Sequence, residues 1–339
     1  MKKRILQFAA LYILFYLPVS THAAVAKYAG DFLEIGVGAR ALGMGGTHIA
    51  ISSDITSIYW NPAGLVHVKS LQLHGMHSER FAGTVNWDFI GVGLPAGKDA
   101  AMGLGFFRLG VDDIPFTALM DPTRPKYETY VDESGQIVTN VPYAYQYVND
   151  QQMAFVFSYA RRRGPDLSFG GNIKIIRKSN GVESAWGLGF DFGLRLHPYR
   201  QLDLGLVLKD ATTTWVTWTT GRKELIVPQL HFGAAYPFRF SKFTFLPAID
   251  AAVNFENRDT GSQLSVGSSG WDFSGGIEVD YSQSTAVRLG VDRGRFATGA
   301  GLRFKFIQAD YGFLHHPDLG ETHRISLTLF WDTGQPFDR

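Results

Sequence analysis

The sequence predicts an all-β protein: a closed, 14-stranded antiparallel transmembrane β-barrel with an N-terminal lumen plug. Three observations predict this fold. Apolar and polar residues alternate with a period of two over most of the chain. The alternating runs number 14, and each is close to the ~9–11 residues that a tilted membrane-spanning strand needs. The connections between the runs sort into a short set and a long set, as in outer-membrane barrels.

The first 23 residues have the pattern of a secretory signal peptide. A basic start, Lys2 to Arg4, precedes an apolar stretch from Ile5 to Val19, and Ala23 allows cleavage directly after it. The apolar stretch is short for a membrane-anchoring helix, which is the alternative. We therefore expect residues 1–23 to be removed and the mature protein to reach the bacterial outer membrane.

The composition argues against several kinds of function. A net charge of +1 argues against nucleic acid as a partner. The sequence contains no Cys, so disulfide frameworks and thiolate chemistry are excluded. Charged residues make up 19%, below the ~25% of ordinary soluble domains, whereas Gly is frequent at 38 of 339 residues. Few charges and many glycines and aromatic residues indicate β-structure that faces something other than water.

Residues 24–70 form the predicted plug, because they do not alternate. The stretch from Asp31 to Gly46 is glycine-rich and mildly helical at its start. Residues 59–65 read YWNPAGL. An Asn before Pro is pushed out of the helical region, so the chain must turn there. The segment is too long and too apolar for a tail, and we expect it to fold into the lumen ahead of the first strand.

Residues 71–331 form the predicted barrel, followed by a short C-terminal tail over 332–339. Between Trp186 and His197, apolar residues at even positions alternate with glycines and polar residues at odd positions. The run from Trp271 to Tyr281 repeats the pattern. The predicted strands are 71–80, 86–95, 101–110, 151–162, 166–178, 185–197, 202–210, 229–239, 244–254, 271–281, 284–292, 296–305, 307–314 and 322–331.

The connections and the two strand faces predict the orientation of the barrel. Every second connection is short, and the long ones, 111–150, 211–228 and 255–270, all fall in the alternate set. Short periplasmic turns and longer outer loops are typical of outer-membrane barrels. Alternation alone also allows a lipocalin-like barrel with its apolar face inside. The polar face is rich in Gly and carries both charge signs, and several apolar faces end in Trp or Tyr, so we expect lipid outside and a polar lumen.

No motif predicts an enzyme, a metal site or a cofactor. The stretch GVGARALGMGG has Met44 where a phosphate-binding P-loop needs Lys. No local signature identifies the nucleophile of a barrel phospholipase. His315, His316 and His323 form a His cluster, but neighbouring His side chains at a strand end point apart, so solvation in an outer loop is the expected role.

Three carboxylates on one strand face, Asp272, Glu278 and Asp280, resemble a general acid–base set. Ion pairing across the barrel wall is the simpler interpretation, since charged residues on neighbouring strands pair in sheets. The expected partners are Arg288, Arg303 and Lys305.

Residues 32–65, FLEIGVGARALGMGGTHIAISSDITSIYWNPAGL, resemble the start of PorV/PorQ-type outer-membrane proteins of type IX secretion. The resemblance extends over essentially the whole mature chain and is strongest here. The Asn-Pro-Ala element also resembles the plug of FadL-type fatty-acid channels, a related group of 14-stranded barrels. Thr47-His48 and Ser53 to Ile55 depart from the family pattern, so the plug surface differs from that of the family.

The resemblance implies that the plug and its turn are structural. Arg40 and Asp54 would pair with lumen charges, and the glycines would let the plug backbone approach the wall closely. Asn61 and Pro62 would turn the chain into the wall, with the two preceding aromatic residues packed inside. The implied plug and turn motif is Arg40, Gly43, Gly45, Gly46, Asp54, Tyr59, Trp60, Asn61, Pro62 and Gly64.

The resemblance also implies a first functional hypothesis, a PorV-like component of protein secretion. Such a protein would bind the C-terminal signal domains of secreted cargo proteins and contact secretion-system subunits. The long loop 111–150 suits protein contacts because it is rich in tyrosine. Its tyrosines are Tyr127, Tyr130, Tyr143, Tyr145 and Tyr147.

Two alternatives remain. A FadL-like channel would bind a hydrophobic ligand, although the polar strand faces weaken this interpretation. A structural outer-membrane protein would have neither role. Outer-membrane lipid is an expected partner under every hypothesis.

Overall fold

A computed structural model describes most of the chain from residue 30 onward. The predicted signal peptide, the first six residues of the predicted plug and the predicted tail lie outside the described residues. No helix in the described part is long and apolar enough to cross a bilayer. The described residues are 30–81, 83–199, 201–255, 261–317 and 320–331.

The strands follow the period-two pattern of the sequence and are numbered here in chain order. They are β1 (Leu71–Arg80), β2 (Val85–Pro95), β3 (Ala100–Ala118), β4 (Thr129–Val131), β5 (Ile137–Thr139), β6 (Tyr143–Arg163), β7 (Leu167–Ser179), β8 (Ser184–Tyr199), β9 (Leu202–Lys209), β10 (Thr214–Trp218), β11 (Lys223–Ile226), β12 (Gln229–Ala235), β13 (Phe238–Phe240), β14 (Phe243–Asn254), β15 (Leu264–Val266), β16 (Ser269–Tyr281), β17 (Thr285–Asp292), β18 (Arg295–Phe304), β19 (Ile307–His316) and β20 (Gly320–Trp331).

Fourteen of these strands form a closed antiparallel barrel, because β20 pairs with β1. The six short strands β4, β5, β10, β11, β13 and β15 lie in the connections. Each wall strand pairs with the next wall strand along the chain, which is an up-and-down topology. Each predicted strand has a wall strand at its position. The predicted all-β fold class, a 14-stranded antiparallel barrel, is confirmed.

Two strand boundaries differ from the sequence prediction. The strands β3 and β6 stay paired beyond the barrel, so that part of the predicted loop 111–150 is a two-stranded ribbon. The register shift between Val111 and Ile114 bends this ribbon without ending the ladder. The predicted strand 229–239 divides into β12 and β13, since Pro237 lacks the N–H that a continuous ladder requires.

The outer face of the barrel is apolar. Leu104, Leu289 and Ile325 lie on wall strands and are 61%, 49% and 62% exposed. Trp186 and Trp331 are exposed near strand ends, where aromatic side chains of membrane barrels meet the lipid–water interface. Because a closed barrel satisfies its backbone hydrogen bonds internally, this surface is suited to lipid.

The N-terminal segment, defined here as residues 30–70, contacts the inner face of the wall. It contains two 3-10 helices, Asp31–Glu34 and Pro62–His67, and two short α-helices, Ala39–Gly43 and Ser57–Trp60. The Ala39 N–H donates a 2.7 Å hydrogen bond to Ser326 Oγ on β20. The N-terminal segment therefore contacts the last wall strand.

Inward-facing glycines of the wall make room for the N-terminal segment. A Cβ on Gly205 would lie 2.5 Å from the Ile49 carbonyl oxygen, and a Cβ on Gly299 would lie 3.1 Å from Gly43 Cα. Any side chain at these positions would force the segment away from the wall. We call the following set the glycine ring: Gly170, Gly193, Gly205, Gly233, Gly276, Gly290, Gly299 and Gly312.

One side of the lumen is apolar, which corrects the expectation of a polar lumen. Trp87, Phe89 and Phe107 point inward from β2 and β3 and are completely buried. They pack in one cluster with Ile55 and Ile58 of the N-terminal segment. The segment has its own apolar side chains to remove from water, and the aromatic wall residues supply the matching surface.

Candidate functional site

Two cavities lie in the lumen on opposite sides of the N-terminal segment. The outer cavity, of about 290 Å³, lies toward the end of the barrel that carries the long connections, near Asn254 and Asp292. The inner cavity, of about 200 Å³, lies toward the short turns, near Gln283 and Gln308. Arg40 of the segment lines the inner cavity, whereas other segment residues line the outer one.

The aromatic pair of the YWNPAGL stretch forms part of the floor of the outer cavity. The rings of Tyr59 and Trp60 meet edge to face at 4.9 Å. Tyr59 Oη donates to the Leu33 carbonyl at 2.5 Å, and Trp60 Nε1 donates to the Val37 carbonyl at 2.8 Å. Burial raises the pKa of Tyr59, so its hydroxyl stays neutral. Both rings are thereby fixed by the backbone of their own segment.

Charged side chains of both signs also line the outer cavity. Asp250 Oδ2 accepts hydrogen bonds from the backbone N–H groups of His48 and Ile49, at 2.6 and 2.9 Å. Asp292 pairs with Arg293 and Arg295. These carboxylates are therefore already neutralised or hydrogen-bonded. The basic lining residues are Arg80, Lys209, Arg293, Arg295 and Arg324, and the acidic ones are Glu34, Asp250, Asp272 and Asp292.

His48 is a buried, neutral histidine next to this floor. Burial, with Arg40 as the next contribution, lowers the pKa of His48 to about 3. Its ring lies 5.7 Å from that of Trp60, edge to face. Its Nδ1 has no hydrogen-bond partner among the described residues.

An ion-pair network connects the N-terminal segment to the wall at the inner cavity. Arg40 donates from Nε and Nη2 to the two carboxylate oxygens of Glu278, both at 2.8 Å. Arg288 Nε donates to the same carboxylate at 2.6 Å, and Arg288 Nη1 lies 2.8 Å from Asp310 Oδ1. The network joins the segment to β16, β17 and β19.

The other predicted partners of the carboxylates lie elsewhere. Arg303 stacks on the ring of Phe330 at 4.4 Å, and Lys305 lies 5.2 Å from the ring of Phe304. Of the three predicted basic partners, the structure brings Arg288 to Glu278. Among the described residues, no group of three or more His, Asp or Glu side chains is placed to hold a metal ion.

Asn61 holds the turn of the YWNPAGL stretch against the wall. Its Nδ2 donates to the carbonyls of Ile49 at 2.9 Å and Leu194 at 3.0 Å. Its Oδ1 accepts from the N–H of Ala63 at 3.1 Å, which caps the 3-10 helix that begins at Pro62. One side chain therefore links the segment to itself and to β8.

The remaining predicted motif residues have local roles. Asp54 accepts hydrogen bonds from the N–H and the hydroxyl of Thr56, inside its own segment. Gly45 has a positive φ of 68°, and a Cβ there would lie 2.6 Å from the backbone nitrogen of Val291. Gly43 lies against the backbone of β18, Gly46 faces the ring of Trp60, and Gly64 lies against Ser52.

Arg324 is one of the lining residues that the sequence patterns do not identify as part of a site. It occupies an inward position of β20, between the inward Thr322 and Ser326. The alternating pattern of that strand places it in the lumen. The pattern does not reveal which groups surround it, because those come from distant parts of the chain.

The comparisons with known proteins support the fold. No family model and no curated protein matches the chain, so the resemblance to PorV/PorQ-type proteins is not confirmed. Several solved structures are similar. The CymD monoaromatic hydrocarbon channel aligns with a TM-score of 0.58 and 14% identity, over 89% of this chain and 99% of CymD.

Two more solved structures have the same fold. The toluene transporter TbuX of Ralstonia pickettii aligns with a TM-score of 0.54 and 12% identity, over 88% of this chain and 99% of TbuX. A FadL homologue of Pseudomonas aeruginosa aligns with a TM-score of 0.50 and 10% identity, over 87% and 98%. The chain therefore has the fold of the FadL-like barrels.

Proposed function

We propose that this protein is an outer-membrane channel for small hydrophobic molecules. The observation that carries the proposal is the outer cavity, which lies at the long-loop end of the lumen and has Tyr59 and Trp60 in its floor. At about 290 Å³ it lies near the lower limit of the ~300–1,000 Å³ of small-molecule pockets. This size favours a compact molecule over a long acyl chain. The proposal assigns the chain no catalytic role and no cofactor.

The fold relatives support this proposal by their chemistry. CymD is a channel for monoaromatic hydrocarbons, and TbuX is a toluene transporter. We propose small aromatic molecules as the substrates of this chain. The N-terminal segment acts as a plug between the two cavities, and transport requires it to move. The apolar outer face, together with the predicted signal peptide, supports an outer-membrane location with lipid around the barrel.

Uptake of labelled toluene by cells that produce the protein tests the proposal. Trp60→Ala removes part of the cavity floor and is expected to reduce uptake at least several-fold. Trp215→Ala is the matched control, because Trp215 is exposed on β10 and does not line the outer cavity. Uptake no faster than that of cells without the protein would contradict the proposal.

The β3–β6 ribbon favours a second candidate function, the PorV-like binding of secreted cargo. Tyr143, Tyr145 and Tyr147 are exposed on this ribbon, and tyrosine is enriched at protein interfaces. Deletion of residues 119–142 would remove the ribbon tip and leave the barrel strands intact. Under this hypothesis cargo proteins with a C-terminal signal domain would accumulate in the periplasm of the deletion strain. An unchanged surface proteome would exclude it.

A further inference from the structure

Arg324 is a buried cation without a carboxylate partner. Its side chain lines the outer cavity, yet the residue is only 1% exposed. Arg324 Nη2 donates to the Ile35 carbonyl at 3.2 Å, and Nε has no hydrogen-bond partner among the described residues. The ion pairs of the described part of the chain do not include Arg324. Its neighbours across the sheet, Ser78 and Gly312, carry no charge.

The guanidinium of Arg324 cannot avoid being an unpaired buried charge by losing its proton, because guanidinium groups stay charged in proteins. An uncompensated buried charge is strongly destabilising. Arg80 and Lys209, the other basic lining residues outside an ion pair, each lie over an aromatic ring, at 5.5 Å from Phe81 and 4.2 Å from Tyr59. Arg324 therefore needs an anion from outside the described residues more than Arg80 or Lys209 does.

The surroundings of Arg324 restrict the chemistry of that anion. Arg324 Nη1 and the Trp60 ring both approach Gly36, within 3.6 and 3.3 Å of the position that a Cβ would occupy there. A ligand that contacts the guanidinium thus also meets the indole. Nearby carboxylates, including Asp292, would repel an anion of higher charge.

We infer that the outer cavity binds a small aromatic carboxylate, with Arg324 binding the carboxylate and Trp60 and Tyr59 packing against the ring. A carboxylate accepts two parallel hydrogen bonds from one guanidinium, and its single charge matches the single unpaired cation. The inference rests on the proposed uptake function, because it assigns a substrate class to the same cavity. It predicts a preference for an aromatic acid over the hydrocarbon of the same size.

Benzoate and toluene are the matched probes, since they have similar size and differ in charge. Titration of each into the purified full-length barrel in detergent, followed by tryptophan fluorescence and calorimetry, gives the two affinities. We expect benzoate to bind at least about tenfold more tightly than toluene, as for a hydrogen-bonded charge. Arg324→Met is expected to remove this advantage of benzoate over toluene.

Arg303→Met is the matched control, because Arg303 lines the inner cavity. It removes an equal charge and should leave both affinities as in the wild type. Arg324→Lys keeps the charge but not the two-pronged geometry, and it should retain part of the preference. Heat-modifiable gel mobility shows whether each variant folds. If Arg324→Met does not fold, the benzoate preference of Arg324→Lys tests the inference.

The outcomes separate the two proposals. Toluene binding without a benzoate preference, or a preference that both Arg324 variants retain, would overturn the inference and leave the uptake proposal standing. Binding of neither probe would overturn both.

Discussion

At the scale of single residues, Asn61 makes three hydrogen bonds from one fully buried side chain. Asn61→Ala would leave the carbonyls of Ile49 and Leu194 without this donor. An unsatisfied buried group costs about 1–3 kcal/mol, so we expect the free energy of unfolding to fall by about that amount. Urea unfolding in lipid vesicles, followed by tryptophan fluorescence, measures it.

Asn86→Ala is the control for this prediction. Asn86 lies on the wall strand β2, and its side chain makes no hydrogen bond to another described residue. Equal stability of the two variants would contradict the role assigned to Asn61.

His48 predicts a pH dependence of stability at the same scale. Burial lowers its pKa from 6.5 to about 3 in the folded protein, so the unfolded chain binds a proton that the folded chain does not. The free energy of unfolding therefore has its full value, as far as His48 is concerned, above pH 6.5, and it decreases as the pH falls below 6.5. At pH 5 the loss amounts to about 2 kcal/mol relative to neutral pH.

Comparison of wild type with His48→Gln isolates this contribution, because other histidines are common to both proteins. Between pH 7 and pH 5 the wild type should lose about 2 kcal/mol more than the variant. His315→Gln, at an exposed position of β19, should behave as the wild type does. Parallel pH profiles of wild type and His48→Gln would exclude the prediction.

At the scale of elements, Glu278 couples the N-terminal segment to the wall. It accepts hydrogen bonds from Arg40 and from Arg288, so Glu278→Gln would leave two buried cations facing a neutral group. Breaking a buried ion pair from one side costs about 3–5 kcal/mol, and we expect a loss in this range. Arg40→Gln should cost less, because Glu278 keeps Arg288.

The same urea titration measures both variants, and limited proteolysis shows whether the segment has left the wall. Glu133→Gln, at an exposed position of the long connection, is the control. A Glu278→Gln variant as stable as this control would show that the network contributes nothing.

The elements also show what the sequence could predict. Strand positions were predictable because alternation is a local property that a lipid outside and a lumen inside impose on every strand. The β3–β6 ribbon was not predictable, because strands that pair beyond the barrel need no apolar face and so show no alternation. The pairing of Arg40 with Glu278 joins residues 238 positions apart. No local pattern encodes such a contact.

The lumen illustrates the same limit for the candidate site. The sequence itself indicated the turn at Asn61, because an Asn before Pro leaves the helical region, whereas the close approach of the glycines was implied by the resemblance. The inward position of the aromatic residues Trp87 and Phe107 could not be predicted, because a wall that another segment covers can be apolar on both of its faces. The lack of a carboxylate partner for Arg324 could not be predicted either, because it depends on which residues from distant parts of the chain surround it.

At the scale of the whole molecule, the apolar outer face predicts that the cost of a charge depends on depth. Leu289 lies near the middle of β17, 49% exposed on the outer face. Leu289→Arg is expected to lower the free energy of unfolding in lipid by about 2–4 kcal/mol. Phe240→Arg should cost at most about 1 kcal/mol, because this 74% exposed residue ends β13 at a short turn. Equal costs at both positions would contradict the assignment of this face to lipid.

The contact between the Ala39 N–H and Ser326 Oγ on β20 has a consequence for the order of assembly. The N-terminal segment is synthesised first, but part of its binding surface is the last strand of the chain. That surface does not exist until the C-terminal strands have formed, and once β20 pairs with β1 the entrance from the side is closed. The contact of Ala39 with Ser326 can therefore form only after β20 is in place, so this part of the N-terminal segment reaches its final position late in the assembly of the barrel.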